Sequence, residues 1–217
     1  MLWQVNAAEP DLDRYLFLVD TSQQMAPHRD AMARFIGENI RTGFEGWAKR
    51  GEPVGLWVFN EHLTRDAVPI EFWTEAQKDR IAERAERFVA LCRFEKTSQL
   101  DRIVSSMQKI VASSDALTLF ILSDTQQRIS GTPFDSLVND IYRNFSHRGN
   151  TSSPAVVTRL LVRHGQFTGW SVQSLESLSR QQPLAPLQTR SSSVPIATVA
   201  DLPVRNVEGA NQPTNSV

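Results

Sequence analysis

The chain is expected to fold as a three-layer α/β/α sandwich, and three observations point there. Short apolar runs at 15–19, 54–59 and 116–122 carry branched and aromatic residues at consecutive positions, the pattern of strands covered on both faces. Segments with apolar residues at helical spacing lie between them. Strands that alternate with helices in this way form right-handed crossovers and a mostly parallel sheet with helices on both faces.

The elements follow in order. Tyr15-Leu16-Phe17-Leu18-Val19 reads as a central strand that ends in Asp20. Pro27 suits the first turn of a helix, and Met32, Phe35, Ile36, Ile40, Phe44 and Trp47 follow at helical spacing before Gly51. Val54 to Phe59 is a second buried strand. Asn60-Glu61 turn the chain into Leu63–Ile70, where Pro69 fits an antiparallel edge strand that can lack one backbone donor. A helix is expected from about Thr74 to Arg93, with Ile81, Ala85, Phe88, Val89 and Cys92 on one face, and a second from Ser98. Ala116 to Leu122 forms the third buried strand and ends in Ser123-Asp124. Pro133 opens a further helix, and 156–162 and 167–172 read as a hairpin turned at His164-Gly165-Gln166. Residues 1–12 read as an N-terminal extension, 13–180 as the domain, and 181–217 as a tail or linker that holds five of the eleven prolines.

Composition excludes several functions. Hydrophobic residues make up 41% of the 217 and charged residues 22%, with a formal net charge of -1. Nothing in that balance calls for nucleic acid or an anionic membrane, and no apolar run is long enough to span a bilayer. The single cysteine, Cys92, allows no intrachain disulfide and sits in a helical pattern as a structural thiol. The four histidines lack zinc-ligand spacing. Gly131 and Gly149 are isolated, so there is no phosphate-binding glycine loop, and no Gly-x-Ser-x-Gly elbow occurs. The five tryptophans fall within strand and helix patterns, which packing explains better than base stacking. Val5 and Ala7 resemble the end of a secretory signal, which would place the protein outside the cytoplasm if an apolar segment precedes Met1; an ordinary frayed N-terminus reads equally well.

The chemistry lies at two strand ends. Asp20 and Asp124 each follow a buried strand. In an open parallel sheet, ligands bind beyond the carboxyl ends of the strands, where the direction of winding reverses. Two carboxylates meeting there with hydroxyls make an oxygen-only site suited to Mg²⁺, with Mn²⁺ or Ca²⁺ as alternatives. Each aspartate taken alone reads as a cap for the segment that follows. Ser22 serves either as a ligand or as a backbone cap.

The run Asp20-Thr21-Ser22-Gln23-Gln24, between an apolar strand and a helix, is similar to the Asp-x-Ser-x-Ser motif of von Willebrand factor A domains. Ile121-Leu122-Ser123-Asp124 resembles that family's later strand with a terminal aspartate, and Lys96-Thr97-Ser98-Gln99-Leu100 its loop that supplies a threonine hydroxyl. The resemblance covers roughly 13–162. It implies a Rossmann-like fold and a metal-ion-dependent adhesion site held by Asp20, Ser22, Gln24, Asp124 and a hydroxyl from Thr97 or Ser98. Thr97 is the better residue type; Ser98 has the better spacing to Leu100, Ile103 and Val104. The chain departs from the family pattern at Gln24, which stands where the family has serine, and at Thr125, which stands where it has glycine. Gln24 offers a carbonyl oxygen on a longer arm, and reads more readily as a lost ligand than as a new one.

The resemblance implies a non-enzymatic module that engages a protein partner, in some cases through a partner carboxylate on the metal. A metal-free scaffold is the alternative. A haloacid dehalogenase-like phosphohydrolase with Asp20 as nucleophile ranks lower, because Ser22 stands where its general acid would be and no lysine sits at a plausible strand end.

Overall fold

The structure is a computed structural model that describes residues 13–65, 67–146, 154–179 and 187–189. The extension 1–12 and most of the segment 181–217 lie outside the described residues.

The strands are β1 (Arg14–Asp20), β2 (Pro53–Phe59), β3 (Leu63–Thr64), β4 (Glu71–Phe72), β5 (Ala116–Asp124), β6 (Ala155–Arg163), β7 (Gln166–Ser174) and β8 (Gln188–Thr189). The helical segments are α1 (Arg29–Arg41), the short turn α2 (Gly43–Gly46), α3 (Lys78–Leu91), α4 (Leu100–Ser106), α5 (Gln108–Ala112), α6 (Asp135–Ser146) and α7 (Leu175–Ser179). One eight-stranded sheet runs β3-β2-β1-β5-β6-β7-β8, with β4 also pairing β2. Its centre, β2-β1-β5, is parallel. Antiparallel strands flank that centre on both sides: β3 and β4 on β2, and the β6–β7 hairpin with β8 beyond β5.

The fold is the expected α/β/α sandwich, because alternate strand residues feed two separate cores. Tyr15, Phe17, Val19, Phe120 and Leu122 pack under α1, α3 and α7. Leu16, Leu18, Leu119 and Ile121 pack under α4, α5 and α6. Every residue of β5 is buried, which a period-2 strand shows only when both faces are covered.

Two elements differ from expectation. The first helix does not run on to Trp47. Gly43, Phe44, Glu45 and Gly46 all take left-handed φ values of 61°, 54°, 63° and 84°, and a left-handed residue after the last turn ends a helix. The Trp73 indole stabilises that ending: its Nε1 donates to the Ile40 carbonyl at 2.8 Å, and the ring lies 2.9 Å from where a Cβ on Gly43 would be. Phe44 is therefore buried and Trp47 is 73% exposed. The strand expected over 63–70 is two fragments, β3 and β4. Pro69 lies in neither; it cannot donate to β2, and the chain leaves the sheet around it.

Candidate functional site

The chain leaves β1 through α1 to reach β2 on one side, then returns past β1 to β5 on the other. The point where winding reverses lies between β1 and β5, the place where open α/β sheets bind ligands. The two strands pair in parallel with Val19 level with Leu122, so Asp20 and Asp124 end neighbouring strands on one rim. Both side chains are fully buried.

Each aspartate divides its two oxygens between two tasks. Asp20 Oδ1 accepts the Ser22 amide at 2.7 Å. Asp124 Oδ1 accepts the amides of Gln126 at 2.8 Å and Gln127 at 3.2 Å. These are capping bonds that fix the loops after the strands. The other oxygens, Asp20 Oδ2 and Asp124 Oδ2, are buried without a hydrogen-bond partner among the described residues, as are the hydroxyls of Ser22, Ser98 and Ser123. Ser22 begins a 3-10 helix, Gln23–His28, yet its side chain makes no capping bond.

Three backbone bonds bring the Ser98 loop to this rim. Gln23 donates to Lys96 at 3.1 Å, Glu95 donates to Thr21 at 2.9 Å, and Gln99 donates to Asn60 at 3.1 Å. Lys96 takes φ +65° in that loop, which turns Thr97 outward and leaves Ser98 half-buried behind it. The Thr97 hydroxyl instead donates to Glu61 at 3.4 Å. Gln24 is exposed. Of the six residues singled out in the sequence, Asp20, Ser22, Ser98 and Asp124 therefore hold buried polar groups at the rim, while Thr97 and Gln24 lie on the surface.

Burial raises the Asp20 pKa to about 6. The Ser98 hydroxyl, the Ser22 amide and the Ser22 hydroxyl favour its ionised form, and the Asp124 charge opposes it. The two hydroxyls are thus close to the carboxylate, although neither completes a hydrogen bond of acceptable geometry. Burial also raises the pKa of Asp124, against the pull of Gln126, Gln127 and His28. At both carboxyls burial outweighs the groups that favour the ionised form.

An unpartnered buried polar group costs about 1–3 kcal/mol, and several converge here. A divalent cation fits this donor set: two carboxylates match its charge, and carboxylate and hydroxyl oxygens are the ligands Mg²⁺ prefers. No three His, Cys, Asp or Glu side chains gather as a metal group among the described residues; the rim has two carboxylates, with serines for the remainder. Reasoning from sequence did not single out Ser123. The buried hydroxyl immediately before Asp124 was the available signal.

No family model matches the chain, and no curated protein matches it. Among solved structures, the chain is similar to the crystal structure of the human COPII-coat protein Sec24c, with a TM-score of 0.35 and 15% sequence identity. That likeness takes in 54% of this chain and spans 19% of the length of the other.

Proposed function

We propose that this protein is a von Willebrand factor A-like binding module, not an enzyme, whose β1–β5 rim engages a protein partner. Mg²⁺ would be held there by Asp20, Ser22, Ser98 and Asp124. The observation that carries this reading is the set of unpartnered buried oxygens from three distant parts of the chain, gathered where the sheet's winding reverses. When bound, the cation supplies a Lewis-acidic centre whose remaining positions, filled by water, can be taken by a partner's acidic side chain. The chain's own residues fix the loops through Asp20 Oδ1 and Asp124 Oδ1 and leave the opposite oxygens for the cation.

Gln24 and the raised carboxyl pKa values favour a second reading, a metal-free scaffold in which protonation of a buried carboxyl replaces the cation. Thermal melts separate the two. A ligand that binds only the folded state at about a hundredfold over its Kd stabilises by about 2.7 kcal/mol, which is roughly 5–10 °C for a domain of this size. With Mg²⁺ against EDTA at neutral pH, the binding module shows such a rise and Asp20→Asn loses it. The same melting temperature in both buffers selects the scaffold. Steady hydrolysis of an aryl phosphate that vanishes in Asp20→Asn would overturn both in favour of a phosphohydrolase.

A further inference from the structure

Val19 and Leu122 are the last residues at which β1 and β5 are paired. Past them the strands part, and each stays paired on its outer side. Asp20 stands opposite Phe59 of β2, and Asp124 opposite Ala155 of β6. One residue further on, a buried threonine continues each outer pairing. The Thr21 amide donates to the Phe59 carbonyl at 2.7 Å, and the Thr125 amide donates to the Pro154 carbonyl at 3.2 Å. The hydroxyls add a second tie apiece. Thr21 Oγ1 also donates to the Phe59 carbonyl, at 3.0 Å. Thr125 Oγ1 lies 2.8 Å from the Ser146 hydroxyl at the end of α6, which is also 3.1 Å from the Thr125 carbonyl. The Thr21 carbonyl in turn accepts the Glu95 amide at 2.9 Å, so the Ser98 loop hangs on the same residue. Backbone satisfaction does not call for either hydroxyl: the Phe59 carbonyl already has an amide, and the Ser146 hydroxyl already has the Tyr142 carbonyl at 3.1 Å.

We infer that Thr21 and Thr125 are positioning residues of the rim, a pair of outer clamps that hold Asp20 and Asp124 at a fixed separation and so favour Mg²⁺ over Ca²⁺. The inference rests on the cation-binding reading above. Element ends fray at low free energy, and each aspartate is the last residue of its strand. Among the described residues no strand pairing joins β1 to β5 past Val19 and Leu122. The width of the crevice is therefore set from outside, through Thr21 to β2 and through Thr125 to the start of β6 and the end of α6. Mg²⁺ demands near-ideal octahedral geometry at about 2.0–2.1 Å, whereas Ca²⁺ accepts irregular arrangements at about 2.3–2.6 Å. A crevice of fixed width discriminates between the two ions, and one free to widen does not. Loosening a clamp weakens Mg²⁺ and leaves Ca²⁺ nearly untouched. The net worth of one buried hydrogen bond bounds the loss at about two- to tenfold in affinity.

The test is the ratio of the Mg²⁺ and Ca²⁺ midpoints, each read from the melting-temperature rise, in wild type, Thr21→Val, Thr125→Val and Ser146→Ala. Valine keeps the branched shape of threonine and removes the hydroxyl. Ser146→Ala loosens the Thr125 clamp from α6 without touching the strands, and carries the test if a valine variant does not fold. The expected result is an Mg²⁺ midpoint about two- to tenfold higher in these variants, with the Ca²⁺ midpoint near that of wild type. Thr21→Ser, which keeps the hydroxyl, stays near wild type for both ions. Phe44→Leu, which alters packing on Tyr15 near the opposite end of β1, is the control: it lowers the metal-free melting temperature and leaves the ratio alone. An unchanged ratio in the valine and Ser146 variants, with only the metal-free melting temperature lowered, overturns the positioning role and leaves the metal site standing. A wild type that responds to Ca²⁺ and not to Mg²⁺ overturns it as well. A wild type that responds to neither ion removes the metal site and the clamps together.

Discussion

Asp20 shows how one residue carries both stability and function. Its folded pKa of about 6 lies above the unfolded value near 3.9. Protonation therefore favours the folded state. That contribution is complete below about pH 4, declines as pH rises, and is gone above about pH 6. A two-unit difference corresponds to on the order of 3 kcal/mol. In EDTA, the protein should melt higher at about pH 4.5 than at about pH 7.5, and Asp20→Asn should flatten the profile. A metal-free melting temperature that rises with pH over this window would contradict the burial argument. Ser98 and Thr97 provide a second contrast at this scale. Ser98 leaves its hydroxyl bare at the rim, and Thr97 donates to Glu61. Ser98→Ala should weaken the Mg²⁺-dependent melting shift and Thr97→Ala should leave it intact; the reverse would move the site to the outer face of the loop.

Among the elements, the left-handed turn after α1 explains an asymmetry that helical periodicity hides. Phe44 and Trp47 sit at the same spacing, yet the turn sends one into the core and the other into solvent. The Phe44 ring stacks on Tyr15 at 3.8 Å and lies 5.8 Å from Phe17. Losing a buried phenylalanine typically costs about 3–5 kcal/mol, while an exposed surface substitution stays within about 0.5 kcal/mol. Urea unfolding of Phe44→Ala should show a midpoint far below wild type, and that of Trp47→Ala one near it. Similar losses in both would mean that the helix continues to Trp47 after all. The α1–α3 contact shows a different device: Gly37 admits the Glu86 side chain, whose carboxylate takes both guanidinium nitrogens of Arg41 at 2.6 and 2.7 Å.

In the whole molecule, the parallel centre and the antiparallel flanks differ in how they are held. Strands β1 and β5 are paired on both sides and covered on both faces, whereas β3 and β4 each pair with β2 alone among the described strands, over two residue pairs. Opening free energies should therefore grade inward. Amides of β1 and β5 should exchange only through global unfolding, and those of β3 and β4 by local opening at far lower free energy. Uniform protection across the sheet, read by native-state hydrogen exchange, would argue against a sheet built outward from β1 and β5. The grading also places the rim on the most rigid strands, where a site held to fractions of an ångström needs to be.

Local pattern was enough for the strands at 15–19, 54–59 and 116–122, the helices between them, the hairpin near the end and the two terminal aspartates, because period and residue type act over a few neighbours. It also carried the choice between Thr97 and Ser98 as far as spacing allows. Three-dimensional packing settled the remainder. Trp73 ends α1 from more than thirty residues away. A left-handed Lys96 and the loop's backbone bonds with Thr21, Gln23 and Asn60 decide which hydroxyl of the Ser98 loop turns inward. Whether a buried oxygen has a partner depends on every element around it, so the bare set at the rim emerges only when the strands are side by side.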